Sequence, residues 1–281
     1  SYSYNLMQSG FLSLFAGLLL FQSAALGAGE PREFAIVFSG SANGILSSCH
    51  CPNSPWGGLA KRAWLLDQLR SVAGSNRVIA LDSGDLFPLD PVPGRAPLML
   101  QLFAQMGYQA IGIGEQELAQ GLETWNEANR AADFWNKTTG RTTFPWLSGG
   151  FRLTDGPRRS QMLVPPWTIW DCNGLRIGLV SIAGPEAWRY AWAQPAGFEL
   201  VDPDRIIKAF QAQTRDQLDL AMVLSHQGLD ADRELAQRIS GIDLILGGHS
   251  QSLISPPEIV NGIAICQAGK NGENLGILAV T

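Results

Sequence analysis

Apolar residues in this chain come in short runs that stop at glycine, serine, asparagine or an acid. EFAIVFSGSANG reads as a buried strand, Phe34 to Phe38, feeding a Gly/Ser/Asn loop, and RVIAL, Arg77 to Leu81, as a strand ending in DSGDLF. Late in the chain the design repeats. Leu218 to Leu224 is apolar and then offers Ser225 and His226, while the run from Asp243 in DLILGGHSQS stops at two glycines and His249. Between them DADRELAQRIS, Asp230 to Ser240, has helical spacing. Apolar runs joined by a helix suit neighbouring parallel strands, which places both histidines at strand carboxyl ends, where such sheets bind ligands.

The remaining pattern fills in the same alternation. Leu59, Ala63, Leu66 and Leu69 share one face of a helix running to about Arg70, and PLMLQLFAQMG is a second apolar helix. YQAIGIGEQELAQG predicts a short strand and a loop carrying Glu115 and Glu117; Leu122 to Trp135 predicts a surface helix, and FPWLSGG a strand. Phe151 to Pro166 reads as irregular, followed by a hairpin of Trp167 to Cys172 and Leu175 to Ile182 turning at Asn173-Gly174. The run with Trp188, Tyr190 and Trp192 reads as a capping loop or contact surface, and Pro203 to Gln217 as a helix. The ending, GIAICQAGKNGENLGILAVT, reads as another hairpin. Together the elements describe a layered α/β sandwich.

Composition narrows the function. At 281 residues with 46% hydrophobic content, the chain can bury one sizeable core. A net charge of -5 and a pI near 5.2, with no basic stripe, argue against nucleic-acid binding. Phe11 to Gly29 has an apolar centre followed by small residues, like a secretory signal, and its length reads as an uncleaved anchor. Residues 1–29 are therefore expected to hold the chain to the inner membrane, with a domain of residues 34–281 exported to the periplasmic side. Four cysteines do not make a disulfide framework; Cys49 and Cys51, flanking His50, read as a disulfide or a metal or redox clip.

Five segments, FSGSANG, DSGDLF, GYQAIGIGEQELAQG, VLSHQG and LGGHSQ, resemble the calcineurin-like metallophosphoesterases, in particular the catalytic domain of periplasmic 5'-nucleotidases. The resemblance runs from about Phe34 to the C-terminus and implies a four-layer αββα sandwich with two cations at the strand ends. Carried over residue by residue, it makes Asp85 the bridging aspartate and puts Glu115 at a ligand asparagine, Gln116 at the catalytic histidine, and His226 and His249 at ligand histidines; Glu117 is kept. Ser41, Asn43 and Gln251 stand where the family has further ligands. The implied remainder is one site at most, of Asp85, Glu115, His226 and His249, for one divalent cation (Mn, Zn, Fe, Mg or Ca) or none. The loss of the histidine acid at Gln116 alone costs on the order of a hundredfold in rate. The nucleoside-binding domain of the 5'-nucleotidases is not expected after Thr281. CHCPNSPWGGLAKRAWLLDQLR also resembles an exported branch of the family, with a C-x-C pair before GGLAKR, associated with multihaem c-type cytochromes.

Three readings follow. The first is a pseudoenzyme: a non-catalytic accessory subunit held to the membrane by residues 11–29, binding protein partners, c-type cytochromes among them, in a respiratory or photosynthetic electron-transfer complex. The second is a single-metal or altered-metal phosphoesterase in which Asn43 or Gln116 orients substrate. The third is thiol redox chemistry at Cys49 and Cys51.

Overall fold

A computed structural model describes residues 2–8, 33–48, 57–138, 144–189, 197–214 and 217–280. The first sheet has the order β1-β13-β2-β3-β4, built from Tyr2–Gln8 (β1), Asn274–Val280 (β13), Phe34–Ser39 (β2), Val78–Asp82 (β3) and Ala110–Ile111 (β4). The second has the order β11-β12-β10-β9-β7-β6: Glu258–Val260, Ile263–Cys266, Leu244–Gly247, Leu220–His226, Leu175–Ala183 and Trp167–Cys172. A small antiparallel pair, Phe151–Leu153 (β5) with Phe198–Leu200 (β8), stands apart.

Period-two alternation explains how the sheets stack. In β2, Phe34, Ile36 and Phe38 face inward and meet Ile177, Leu179, Leu220, Met222 and Leu244 of the other sheet. Ala35 and Val37 face outward, onto the helices Leu59–Ala73 (α1), Arg95–Met106 (α2) and Gly121–Thr138 (α4). On the far side Val180, Val223 and Ile245 pack against Pro203–Thr214 (α6) and Leu229–Arg238 (α7). Two short helices, Glu115–Leu118 (α3) and Glu186–Arg189 (α5), complete the set. Both faces of each central strand are buried, which is why those strands read as nearly continuous apolar runs.

The two histidine strands are parallel neighbours, with Leu244 opposite Met222 and Gly247 opposite Ser225. The hairpin at Asn173-Gly174 also forms, both residues having positive φ (51° and 76°) as its tight turn requires. Elsewhere the pattern misleads. The C-terminal run is not a hairpin: β12 pairs with β10 and β11 in one sheet, whereas β13 crosses to the other and runs antiparallel to β2. FPWLSGG forms only an isolated bridge, Trp146 to Ile111, because its aromatics turn into the core beside Phe87 and Trp125. The loop expected around Glu115 is the helical turn α3, the irregular Phe151–Pro166 stretch begins with β5, and the expected surface helix α4 buries Trp125 and Ala128.

Tyr2–Gln8, at the head of the expected anchor segment, pairs antiparallel with β13, from Tyr2 opposite Val280 to Gln8 opposite Asn274. Residues 11–29, Cys49 and Cys51, and Tyr190 and Trp192 lie outside the described residues. Among the described residues no helix is long and apolar enough to cross a membrane.

Candidate metal centre

Both sheets direct the carboxyl ends of their parallel strands to one place. The loops after β2, β3 and β4 bring Ser41, Asn43, Asp85, Glu115 and Gln116, and those after β9 and β10 bring Gln227, His249 and Gln251 beside His226 at the end of β9. Ser41, Asn43, Asp85, His249 and Gln251 all take positive φ, between 50° and 66°. Each such non-glycine residue costs on the order of 1–3 kcal/mol, so the loops hold their side chains inward against local preference.

Glu115 is the hub. Its Oε2 lies 3.0 Å from His226 Nε2, and its Oε1 lies 3.1 Å from His249 Nδ1. The imidazole rings stand edge to face, 5.6 Å apart. One ligand atom from each of Glu115, His226 and His249 falls within 4.8 Å of the others. Asp85 borders this group, its Oδ2 3.2 Å from His226 Nε2. His226 Nδ1 donates to the Ser83 carbonyl at 2.7 Å, which turns Nε2 toward the carboxylates. A backbone acceptor on the far ring nitrogen is the usual way proteins orient a metal-binding histidine.

The charges fit a cation. Burial works against charge on Glu115, yet hydrogen bonds from His226 and His249 outweigh it and hold the carboxyl below its ordinary value. Burial likewise opposes the His226 imidazolium, but Asp85 and Glu115 overcome it and raise the ring well above its usual range. Carboxylates so placed demand positive charge, which a proton on His226 or a divalent ion would supply. One carboxylate and two imidazoles converging on a point, with a second carboxylate alongside, suit such an ion.

Beside this cluster runs a chain of neutral amides. Asn43 Nδ2 donates to Asn271 Oδ1 at 2.9 Å, and Gln116 Nε2 donates to Asn43 Oδ1 at 2.9 Å and to Asp85 Oδ2 at 3.1 Å. Because a carboxylate only accepts, Asp85 fixes which end of the Gln116 amide faces it. Ser41 is buried, and its backbone N–H bonds the Gly84 carbonyl. Gln251 lines an open cleft of about 1040 Å³, whose walls also include Glu186, Glu234 and Lys270.

Glu117 acts on the backbone instead. It accepts from the N–H groups of Asp85, Leu86, Phe87 and Gly114 at 2.6–3.0 Å, stapling the DSGD loop to the GEQE turn. Gly114 is required there, since a Cβ would lie 2.5 Å from His226 Nε2. Asp82, well placed in sequence to bind a cation, turns away: it is buried against Arg62 at 3.6 Å and accepts from Ser39 Oγ and Gly84 N. Its position at a strand end reads the same as that of Asp85; only the loop geometry separates them.

Known proteins share the fold. No protein-family model matches the sequence. The 5'-nucleotidase of Diplobatis ommata is 24% identical over 298 aligned residues, covering 94% of this chain and 48% of that protein. The trifunctional nucleotide phosphoesterase protein YfkN of Bacillus subtilis (strain 168) is 25% identical over 248 residues, 77% of this chain and 16% of the other. Among solved structures, a 5'-nucleotidase precursor from Thermus thermophilus superposes with a TM-score of 0.72 at 23% identity, covering 89% of this chain and 51% of that one. The chain has the calcineurin-like metallophosphoesterase fold. The calcineurin-like phosphoesterase structure of YfkN matches it at TM-score 0.66 and 18% identity over 87% of this chain and 84% of that one. The metallophosphoesterase-like unit thus spans about half, or less, of the two sequence relatives it matches.

Several residues that shape this metallophosphoesterase-like site carry no marker in the sequence. Asn271, Asp232 and Gln267 reach it only through the fold, and none sits in a ligand-spaced cluster.

Proposed function

We propose that the chain is a metal-dependent phosphoesterase working with a single cation, held by Glu115, His226 and His249 with Asp85 beside them. The observation that carries this reading is the convergence of those three side chains on one point. Relatives that are nucleotidases and phosphoesterases support the reaction class. A divalent ion bound there supplies Lewis-acid neutralisation of phosphoryl charge and a water of lowered pKa. The chain's own residues do the rest. Glu115 and Asp85 set the negative field, Ser83 holds His226 in its tautomer, and the Gln116 amide, tied to Asp85 and Asn43, orients groups without giving up a proton.

Hydrolysis of p-nitrophenyl phosphate tests this. Dialysed protein should be inactive, regain turnover with Mn²⁺ or Zn²⁺, and lose at least a hundredfold in the His226→Ala variant. Turnover indifferent to added metal and to that substitution contradicts the proposal.

A second reading, the non-catalytic accessory subunit, is favoured by one observation: Gln116 occupies the place of the family's acid. Metal binding without turnover of any phosphate ester would select it. We further propose export, anchorage through residues 11–29 and contact with c-type cytochromes on the strength of the apolar N-terminal run and the GGLAKR resemblance alone.

A further inference from the structure

The two histidines stand apart, His226 at the end of β9 and His249 on the loop after β10, yet the residues on either side of each are tied to buried anchors. Ser225 and Gln227 flank His226, and both donate to Asp232 Oδ1, at 2.6 and 3.0 Å. Gly248 and Ser250 flank His249, and both are held by Gln267: its Nε2 donates to the Gly248 carbonyl at 3.4 Å, and its Oε1 accepts from Ser250 Oγ at 2.8 Å. Asp232 comes from α7 and Gln267 from the residue after β12, so the anchors lie on different elements. They meet over Gly247, where a Cβ would stand 2.5 Å from Asp232 Oδ2 and 2.6 Å from Gln267 Nε2. Both anchors are almost wholly buried, at 0% and 1% exposure.

Burying a carboxyl is costly, and apolar residues of similar volume often serve packing equally well. Its neighbours on α7, Leu235 and Ala236, already fill the core beneath the sheet. We propose that Asp232 and Gln267 are positioning residues that form one bracket, fixing the separation and orientation of the His226 and His249 imidazoles. Through that separation the bracket sets the affinity of the cation site, a consequence that rests on the single-cation reading. Each anchor acts through the residues beside the imidazoles: Asp232 through the Ser225 and Gln227 side chains, Gln267 through the Ser250 hydroxyl and the Gly248 carbonyl.

The chain's three histidines make the test direct. Imidazole ¹H–¹⁵N spectra of the metal-free protein are compared for wild type, Asp232→Ala, Asp232→Asn and Gln267→Ala, and Zn²⁺ affinity is then measured by competition with a chelator. Asp232→Ala should move or broaden the signals of both His226 and His249 and weaken Zn²⁺ about 10–100-fold, the usual cost of losing an outer-shell partner. Asp232→Asn, which keeps an oxygen for Ser225 and Gln227, should restore both readings. Gln267→Ala should disturb His249 more than His226. Unchanged imidazole signals in folded Asp232→Ala, disturbance of His226 alone, or an Asn variant as impaired as the Ala variant would each overturn the bracket. Should Asp232→Ala not fold, Ser225→Ala and Gln227→Ala each remove one arm and must give the same imidazole shifts. Should wild type bind no Zn²⁺, the functional reading fails while the metal-free spectra still decide the bracket.

Discussion

Gln116 decides what chemistry the site can perform. Its amide gives both hydrogens to Asn43 and Asp85 and has no proton to offer a departing alkoxide. A general acid contributes roughly 10²–10⁴-fold, so on the phosphoesterase reading the site favours esters whose leaving group needs no protonation. Aryl phosphates with acidic phenols should turn over at least a hundredfold faster than alkyl phosphates; equal rates would mean that another acid serves. Asp232 contributes one part of the pH dependence of stability. Burial pushes its carboxyl up from 3.8 to about 7, against hydrogen bonds from Ser225 and Gln227. Between those values the folded chain holds a proton that the unfolded chain has released, so this contribution is complete below about pH 4 and is lost as pH rises to about 7. From pH 5 to pH 8 wild type should lose on the order of 2–4 kcal/mol relative to Asp232→Asn in urea unfolding, and parallel pH profiles would remove Asp232 as the cause.

At the scale of elements, α1 is keyed to the end of β3 by a buried ion pair. Arg62 reaches Asp82 at 3.6 Å, donates to Ser39 Oγ and lies over the Phe103 ring, while Asp82 Oδ1 takes the Gly84 N–H and so shapes the loop bearing Asp85. Removing one partner strands the other, so Arg62→Met should cost about 3–5 kcal/mol, and adding Asp82→Asn should recover most of it. Additive losses in denaturant unfolding would show that the pair is not coupled. Elements of this kind were legible in sequence where period and flanking residues agreed, as in β2, β3, β9 and β10. They were not legible where an apolar run could join either sheet. Nothing in GILAV says that β13 pairs with β2 and not with β12; that choice is made by which face of each sheet still needs covering. FPWLSGG misled for a related reason, since its aromatics are buried by clustering with Phe87 and Trp125 and not by a ladder.

For the molecule as a whole, two face-to-face sheets bring residues more than a hundred positions apart, such as Glu115 and His249, to within hydrogen-bond distance. The ligand-bearing loops were readable because glycines and histidines interrupt apolar strands there. Their supporting residues were not, because Asp232 sits in an ordinary polar helix start and Gln267 in a small-residue stretch. The amide chain through Asn271, Asn43 and Gln116 crosses to Asp85 on one side, while Glu115, His226 and His249 converge on the other. Among the described residues one group of side chains is arranged to hold a cation, and on the proposed reading it takes a single ion. Equilibrium dialysis of the metal-stripped protein against Zn²⁺ and Mn²⁺, with total metal counted per chain, tests this most directly. One ion per wild-type chain and at least tenfold weaker binding in Glu115→Gln are expected; two ions, none, or a Glu115→Gln variant that binds like wild type would contradict a single-cation site.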